Sequence, residues 1–293
     1  MKSSIAAAAL AALVSLSACS GVPSASPAPR TGDEAAVRHG QDVLGGIPLV
    51  HVVLSLFDAP LPGAGLQINV GFTEVALVGS GGTVVPLTTF AAPDVVNLLN
   101  LQNAALPLAG NVPPGSYTAI RFFISPAASD IVLGPIKIPL GTKTSPIVTA
   151  DAPVALTAVA GEPLDVAADF NALESFSVTG NHASMSPTIV AAVDAGSLKG
   201  TVVNAKGAPV TEATVEALDA NGNLVNVTAT GANGGFAMHA LPAGTYTLQI
   251  VNSFTSKFGD VVKANGNDPG ASPQPLAVTV NANAVTPLPA IAD

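Results

Sequence analysis

Alternation of apolar and polar side chains is the dominant pattern of the chain from residue 47 onward. The segment "PLVHVVLSLF", which begins at Pro48, places Val50, Val52 and Leu54 on one face and His51 on the other. A period of two is that of a β-strand. Further short segments of this kind follow, and Gly, Pro, Asn or Asp separate them. The pattern predicts an antiparallel β-sandwich over residues 47–194.

One segment within this region departs from the alternation. In "APDVVNLLNLQNAALPLAG", which begins at Ala92, the leucines do not recur at every second position. We expect part of it to form a short helix or helical turn.

Residues 195–293 show the same strand pattern, with different turn-forming segments between the strands. The runs "LKGTVV", "ATVEAL", "LVNVTAT", "GFAMHAL" and "TYTLQIV" are separated by "NAKGAP", "DANGN" and "GANGG". Asn-Gly and Gly-Gly supply the positive φ angles that tight hairpin turns require. A second antiparallel sandwich is predicted here, closed by a strand within "LAVTVNANAVTPL".

The same short phrase occurs once in each predicted sandwich. "VPPGSYTAIRFFI" begins at Val112 and "LPAGTYTLQIV" at Leu241, and they contain the only tyrosines of the chain, Tyr117 and Tyr246. Pro and Gly set a turn, after which the ring packs into the core and the phenol reaches a backbone partner at the corner. This predicts two structural corners, with ligand contact as the alternative.

The N-terminus has the pattern of an export signal. Lys2 precedes the apolar run "IAAAALAALVSL", which is too short for a permanent membrane span. We therefore assign residues 1–18 to a signal peptide. The sequence from Leu16 to Cys19, the only cysteine, resembles the lipobox of bacterial lipoproteins, which implies lipid attachment at Cys19; an incidental cysteine near an ordinary cleavage site is the alternative. Ser20 in place of Asp implies, by resemblance to lipoproteins of diderm bacteria, sorting to the outer membrane.

Composition predicts a flexible linker near the N-terminus and argues against nucleic-acid binding. Residues 19–46 are rich in Pro, Ser, Ala and Gly, so we predict a flexible linker after the lipidated cysteine. Only 10% of all residues are charged, and the formal net charge is −9 with no Lys/Arg cluster. The basic surface that holds a phosphate backbone is therefore missing, and nucleic acid is excluded as a partner.

Candidate catalytic and metal-binding residues do not form a recognisable motif. The four histidines, His39, His51, His182 and His239, show no metal-ligand spacing. No serine lies in a nucleophile-elbow pattern, and no glycine-rich loop opens a helix onto phosphate. We therefore predict no catalytic residue, no metal and no cofactor.

Two sets of short polar residues have a structural interpretation instead. "DANGNL" from Asp219 copies the opening of an EF-hand loop, but Leu224 occupies its sixth position and Thr230 its twelfth, so a hairpin turn is the better explanation. A second set follows predicted strands, where backbone capping explains short polar side chains and a further role stays open: Asp58, Asp169 and Asn171.

Several phrases in a fixed order carry a family resemblance. "FDAPLP", "FTEVALVG", "VVNLLNLQNAALPLAGNVPPGSYTAIRFFI", "LDVAADFNALESFSVTGN" and "MSPTIVAAV" resemble the domain-of-unknown-function 4382 family over residues 47–194. The region from residue 195 resembles the carboxypeptidase regulatory-like, transthyretin-type domain. These resemblances imply envelope lipoproteins, sandwiches of transthyretin-like or immunoglobulin-like type, and no established catalytic residues.

Together these features predict a non-enzymatic lipoprotein of the bacterial cell envelope. Its membrane partner is the leaflet that holds the lipid of Cys19, and an envelope protein or a glycan is the further partner considered. One alternative is a carbohydrate- or peptide-binding surface module with a partly aromatic groove on residues 47–194. The adjacent Phe122 and Phe123 must face opposite sides of a strand, so one of them is a candidate for a partner surface, and Phe254 and Phe258 near a loop are candidates for an apolar patch. The other alternative is a cryptic hydrolase, which predicts a buried His beside Asp or Glu.

Overall fold

Among the residues that the structure describes, the first β-sandwich contains most of the strands and two very short helices. A computed structural model describes residues 43–44, 46–58, 66–102, 104–251, 253–255, 261–263 and 275–292, all within the unit that spans Gln41–Asp293. The predicted signal peptide, Cys19 and His39 lie outside the described residues. The strands up to residue 193 are β1 (Val43–Leu44), β2 (Ile47–Pro48), β3 (Val50–Asp58), β4 (Leu66–Gly79), β5 (Val84–Asn97), β6 (Leu106–Val112), β7 (Gly115–Leu133), β8 (Ile136–Pro139), β9 (Val148–Ala158), β10 (Leu164–Phe170), β11 (Phe176–Thr179), β12 (His182–Met185) and β13 (Ile189–Val193).

Two sheets enclose the first core. One has the strand order β13-β10-β3-β6, and the other is β5-β4-β7 with both β8 and β9 paired to β7. Val50, Val52, Leu54 and Leu56 are buried on one face of β3, as its alternation predicts. Four fully buried phenylalanine rings lie between the sheets: Phe72, Phe122, Phe170 and Phe176.

The predicted helical turn is present but covers only a part of its segment. Strand β5 continues to Asn97, and a 3₁₀-helix follows at Leu98–Gln102. The Asn97 side chain accepts a hydrogen bond from Leu99 N at 3.2 Å, which offers the backbone an alternative to the sheet ladder and starts the turn. The other helix, α1, is a single turn at Ala172–Ser175.

The second sandwich has its own core. Its strands are β14 (Gly196–Val203), β15 (Thr214–Leu218), β16 (Leu224–Ala229), β17 (Gly235–Leu241), β18 (Gly244–Val251), β19 (Ser253–Thr255), β20 (Val261–Lys263), β21 (Leu276–Val280) and β22 (Val285–Ala292). Sheets β17-β14-β22 and β16-β15-β18-β21 enclose a core that includes Leu198, Met238 and Ile250. Gly222 and Gly234 have φ angles of 81° and 72°, as the predicted hairpin turns require.

The predicted fold class, all-β with two sandwiches, is confirmed. The pairing of the described strands is antiparallel, with two exceptions. Strand β3 pairs in parallel with β10, and β14 pairs in parallel with β22. Each exception joins strands far apart in sequence, which allows the long crossover that parallel neighbours need.

Both tyrosines form the corners that the repeated phrase predicts. The Tyr117 hydroxyl donates to Pro113 O at 2.6 Å, and the Tyr246 hydroxyl donates to Pro242 O at 2.7 Å. Each ring is buried in the core of its own sandwich. Because ring and phenol are both engaged within the fold, the alternative of ligand contact loses its support.

Candidate functional site

A set of buried polar side chains and one half-buried aromatic ring joins the two sandwiches. Parallel pairing brings the ends of β3 and β10 to one edge of their sheet, where Asp169 lies beside Phe57 and Asn171 follows. Strands β16 and β17 of the second sandwich contribute Asn226 and His239. We call these five residues, Phe57, Asp169, Asn171, Asn226 and His239, the junction cluster.

Asp169 is the buried acid of the junction cluster. Its side chain is fully buried, and Oδ2 accepts a hydrogen bond from Asn226 Nδ2 at 3.0 Å. The other oxygen, Oδ1, has no hydrogen-bond partner. Burial raises the pKa of Asp169 to about 6, although the hydrogen bond from the Asn226 amide and the nearby backbone N–H of His239 act in the opposite direction. A titratable group of the first sandwich is thus held by the second.

Asn226 connects three parts of the fold with one side chain. Its Nδ2 also donates to His239 O at 3.1 Å, and its Oδ1 accepts from Val227 N at 2.8 Å. Since β16 and β17 belong to different sheets, this amide links the two sheets of the second sandwich and Asp169 of the first. Asn171 Nδ2 adds a bond of 3.4 Å to Val227 O.

His239 is buried with both ring nitrogens engaged. Its ring stacks on Phe57, with centroids 4.3 Å apart and an interplanar angle of 8°. Nε2 lies 3.3 Å from Gln102 O, and Nδ1 lies 3.1 Å from Ser197 Oγ. Because a carbonyl oxygen only accepts, Nε2 carries the proton of the neutral ring and the Ser197 hydroxyl donates to Nδ1.

The electrostatics of His239 favour its neutral form. Burial lowers the pKa of the ring, the bond to Gln102 O raises it in part, and Lys199 lowers it further. The neutral ring suits a stacked, hydrogen-bonded position within the junction, because a buried charge would lose its hydration.

The three short polar residues predicted as caps divide into two groups. Asp58 Oδ1 accepts from Ala172 N at 3.2 Å, and Asn171 is the N-cap of α1, with Oδ1 accepting from Glu174 N at 3.3 Å. Capping is confirmed for these two. It is wrong for Asp169, because its oxygen is bound by the amide of Asn226, a residue of the other sandwich.

The remaining predicted candidates lie apart from the junction cluster. His51 is exposed on β3, with Nδ1 3.0 Å from Asn111 Oδ1, and His182 is exposed at the start of β12. Asp219 accepts from Asn221 N and Asn223 N at 2.8 Å each, which confirms the hairpin turn in "DANGNL". Among the residues described, no group of three or more His, Cys, Asp or Glu could hold a metal.

A groove of about 240 Å³ lies beside the junction cluster. The outer faces of β3 and β10 form one wall, and the starts of β14 and β22 form the other; its lining includes Ser55, Phe57, Asp165, Ala167, Ser197 and Val285. Phe57 is its aromatic member, and one face of that ring is covered by His239. Phe122 is a core residue, Phe123 is half-buried, and the side chains of Phe254 and Phe258 lie outside the described residues.

The junction cluster includes the buried His and Asp that the hydrolase alternative predicts, but they are arranged differently. The ring nitrogens of His239 bind Ser197 and a backbone carbonyl, whereas the Asp169 carboxyl is held by Asn226. A carboxylate that orients an imidazole must bind its ring N–H directly. The arrangement therefore suits holding two domains together better than activating a serine.

Sequence reasoning missed the role of Asn226 because its partner lies 57 residues away in the chain. A signal was nevertheless present in "LVNVTAT". In the register of β15 and β16, Asn226 and Thr228 lie opposite the core residues Ala217 and Val215. Polar side chains at core-facing positions of a strand indicate a buried polar contact.

Comparisons with known proteins confirm the domain composition. Residues 50–186 match the model of the Domain of unknown function (DUF4382), and residues 197–272 match the Carboxypeptidase regulatory-like domain. The two matches, one in each sandwich, are the domain types that the sequence resembles. No curated protein matches the chain.

Solved structures with a detectable likeness include pilins of Gram-positive bacteria. The minor pilin GBS52 of Streptococcus agalactiae is 12% identical, with a TM-score of 0.26 over 81% of this chain and 93% of that one. BcpA, the major pilin subunit of Bacillus cereus, is 12% identical, with a TM-score of 0.23 over 82% and 68%. The shaft pilin spaA of Lactobacillus rhamnosus GG is 11% identical, with a TM-score of 0.24 over 82% and 96%. TM-scores this low carry no functional inference.

Proposed function

We propose that the chain is a non-enzymatic lipoprotein of the bacterial cell envelope, in which the two sandwiches act together as a structural or adaptor unit. The observation that carries this proposal is the junction cluster. Asn226 binds Asp169 across the two sandwiches, and the His239 ring reaches across them to Phe57 and to Gln102 O. Groups engaged in this way stabilise an arrangement of domains and are not available to a substrate.

The strength of the junction supports a fixed arrangement of the two sandwiches. Three polar contacts cross it, from Asn226 to Asp169, from Asn171 to Val227 and from His239 to Gln102. Each contributes about 1 kcal/mol, and an aromatic stack adds roughly 0.5–1.5 kcal/mol. A few kcal/mol in total are enough to keep two domains docked most of the time.

Lipid attachment at Cys19 would hold this unit at a membrane. The net charge of −9 disfavours contact with an anionic leaflet, so the lipid and not the protein charge would provide the attachment. A multi-chain lipid anchor holds a protein firmly because each buried methylene contributes about 0.8 kcal/mol. By resemblance to lipoproteins of diderm bacteria, the outer membrane is the proposed destination.

Membrane fractionation of Cys19→Ala tests the anchor. We expect the variant to move from the membrane pellet to the soluble fraction, whereas Ser24→Ala, a control in the linker, stays with the membrane. Firm membrane attachment of the Cys19→Ala protein would refute lipidation at this thiol.

Labelling with a fluorophosphonate, which reacts with activated serines, tests the non-enzymatic part of the proposal. Ser197 is the serine beside the imidazole of His239, and we expect no covalent label on it. A label at Ser197 that disappears in His239→Gln would favour the hydrolase alternative instead.

A second candidate function is capture of a peptide or glycan in the groove beside the junction cluster. Its volume of about 240 Å³ and its mixed polar and apolar lining favour a small or extended ligand. Ala167→Arg fills the groove, and Ala109→Arg places the same side chain at an exposed position of β6 as a control. The assay is chemical cross-linking of each variant to components of the envelope. Loss of a cross-linked product in Ala167→Arg alone would support this function, and equal cross-linking in both variants would count against it.

A further inference from the structure

We propose that docking of the two sandwiches depends on the protonation of Asp169, so that the junction is a proton-linked latch. The latch is firm while this carboxyl is neutral and loosens when the carboxyl ionises. The inference depends on contacts among the described residues and is independent of the envelope role proposed above.

The geometry around Asp169 fits a neutral carboxyl better than a carboxylate. An ionised carboxylate accepts hydrogen bonds at about four lone-pair sites. In the docked junction Asp169 Oδ2 is bound by the Asn226 amide, and Oδ1 has no partner. If the sandwiches separate, water reaches both oxygens. Ionisation therefore costs more in the docked arrangement than in the separated one.

Other charged and titratable groups near the junction also contribute to its pH dependence, and their effects must be distinguished from that of Asp169. They are Asp58 on β3, Lys199 on β14, Glu174 on α1, Glu216 on β15 and His239 on β17. Burial, aided by Glu174, raises the pKa of Glu216, so this group acts in the same direction as Asp169. His239 acts in the opposite direction, because burial lowers its pKa and its contribution is lost as the pH falls.

The direction and size of the effect follow from linkage. The pKa of Asp169 is about 6 when docked, against 3.8 for an ordinary aspartate. Between these values the docked junction holds a proton that the separated one has released, so docking weakens as the pH rises. The docking equilibrium is expected to fall by about 100-fold across this interval and to stay low above it.

The two tyrosines provide one reporter in each sandwich. Full-length protein carrying Cys19→Ala, to prevent acylation, would be labelled with 3-fluorotyrosine. Fluorine NMR during a urea titration then follows the first sandwich at Tyr117 and the second at Tyr246. The titration is repeated at about pH 4 and about pH 7 with the wild-type sequence at position 169 and with Asp169→Asn. Asp165→Asn, an exposed position on the same strand, is the matched control.

The decisive signal is that of Tyr246, because Asp169 belongs to the other sandwich. In the parent and in Asp165→Asn, we expect the unfolding equilibrium constant of the second sandwich to rise between about pH 4 and about pH 7. This rise should be about 100-fold larger than the rise in Asp169→Asn. A role confined to the first sandwich would change only the Tyr117 signal. Identical pH dependence at Tyr246 in all three proteins would overturn the proposal.

A second measurement covers the case in which Asp169→Asn does not fold. Carbon-13 NMR follows the carboxyl carbon of Asp169 in the parent protein, first alone and then with Asn226→Ala. A pKa near 6 that rises further in Asn226→Ala supports the latch, since the amide of the second sandwich favours the ionised form. A pKa at the ordinary aspartate value would overturn it.

Discussion

Asn226 is the side chain whose removal should weaken the junction most. Its Nδ2 donates to Asp169 Oδ2 at 3.0 Å and to His239 O at 3.1 Å, and its Oδ1 accepts from Val227 N at 2.8 Å. Asn226→Ala deletes these bonds and leaves the buried carboxyl without a side-chain donor. A bond to a charged or acidic group contributes roughly 1.5–3 kcal/mol, and a neutral bond about 1 kcal/mol. We therefore expect the free energy of unfolding to fall by about 2–4 kcal/mol.

Urea unfolding followed by far-ultraviolet circular dichroism measures this loss. Asn223→Ala is the control, because it makes the same change at an exposed turn on the same hairpin, where Asn223 Nδ2 donates to Asp219 Oδ2 at 3.0 Å. Solvent competes for an exposed bond of this kind, so its loss is expected to destabilise the protein less than the loss of the buried bonds of Asn226.

The loss in Asn226→Ala should also depend on pH. Since the Asn226 amide lowers the pKa of Asp169, its removal raises that pKa above about 6. A raised pKa makes the ionised carboxyl more costly, so the variant should lose more stability near neutral pH than in acid. The reasoning would be refuted if Asn226→Ala lost no more stability than Asn223→Ala, or if its loss were larger in acid.

Two further predictions concern the frame around the junction. Tyr246→Phe keeps the ring in the core but removes the bond to Pro242 O, so the second sandwich should lose about 1 kcal/mol in urea unfolding; no loss would contradict a structural corner. Gly110→Ala directs a methyl group into the carbonyl oxygen of Leu87, so β5 and β6 must separate. We expect the free energy of unfolding to fall by about 2–4 kcal/mol and the melting temperature to fall by several degrees. Gly81→Ala meets no atom within 4 Å and should melt within about 0.5 kcal/mol of the parent.

The sequence predicted those parts of the fold that local patterns determine. The alternation at Val50 and Val52, the glycine turn at Gly222 and the corners at Tyr117 and Tyr246 all follow from residues a few positions apart. Each of these is a choice that the chain makes within one strand or one turn, and the structure agrees with each.

Long-range pairing could not be predicted in the same way. Strands β3 and β10 are separated by more than 100 residues, and no local signal indicates that Phe57 lies beside Asp169. The contact between Asp169 and Asn226 depends on this pairing and on the docking of a second domain. The polar positions of β16 were visible in sequence, but their partner was not. The candidate site is therefore formed by long-range strand pairing and domain docking, neither of which local sequence patterns reveal.

The parallel pairing of β3 with β10 has a consequence for how the first sandwich folds. Strand β3 lies between β6 and β10, so one of its edges stays without a partner until residues 164–170 arrive. Hairpins such as β4–β5 can form early, whereas this closure must bring together segments at high contact order, which slows folding. Until β10 pairs with β3, the unpaired edge of β3 can pair with a strand of a second folding chain and start aggregation. The rate at which β10 pairs with β3 therefore determines how long the folding chain is prone to aggregate.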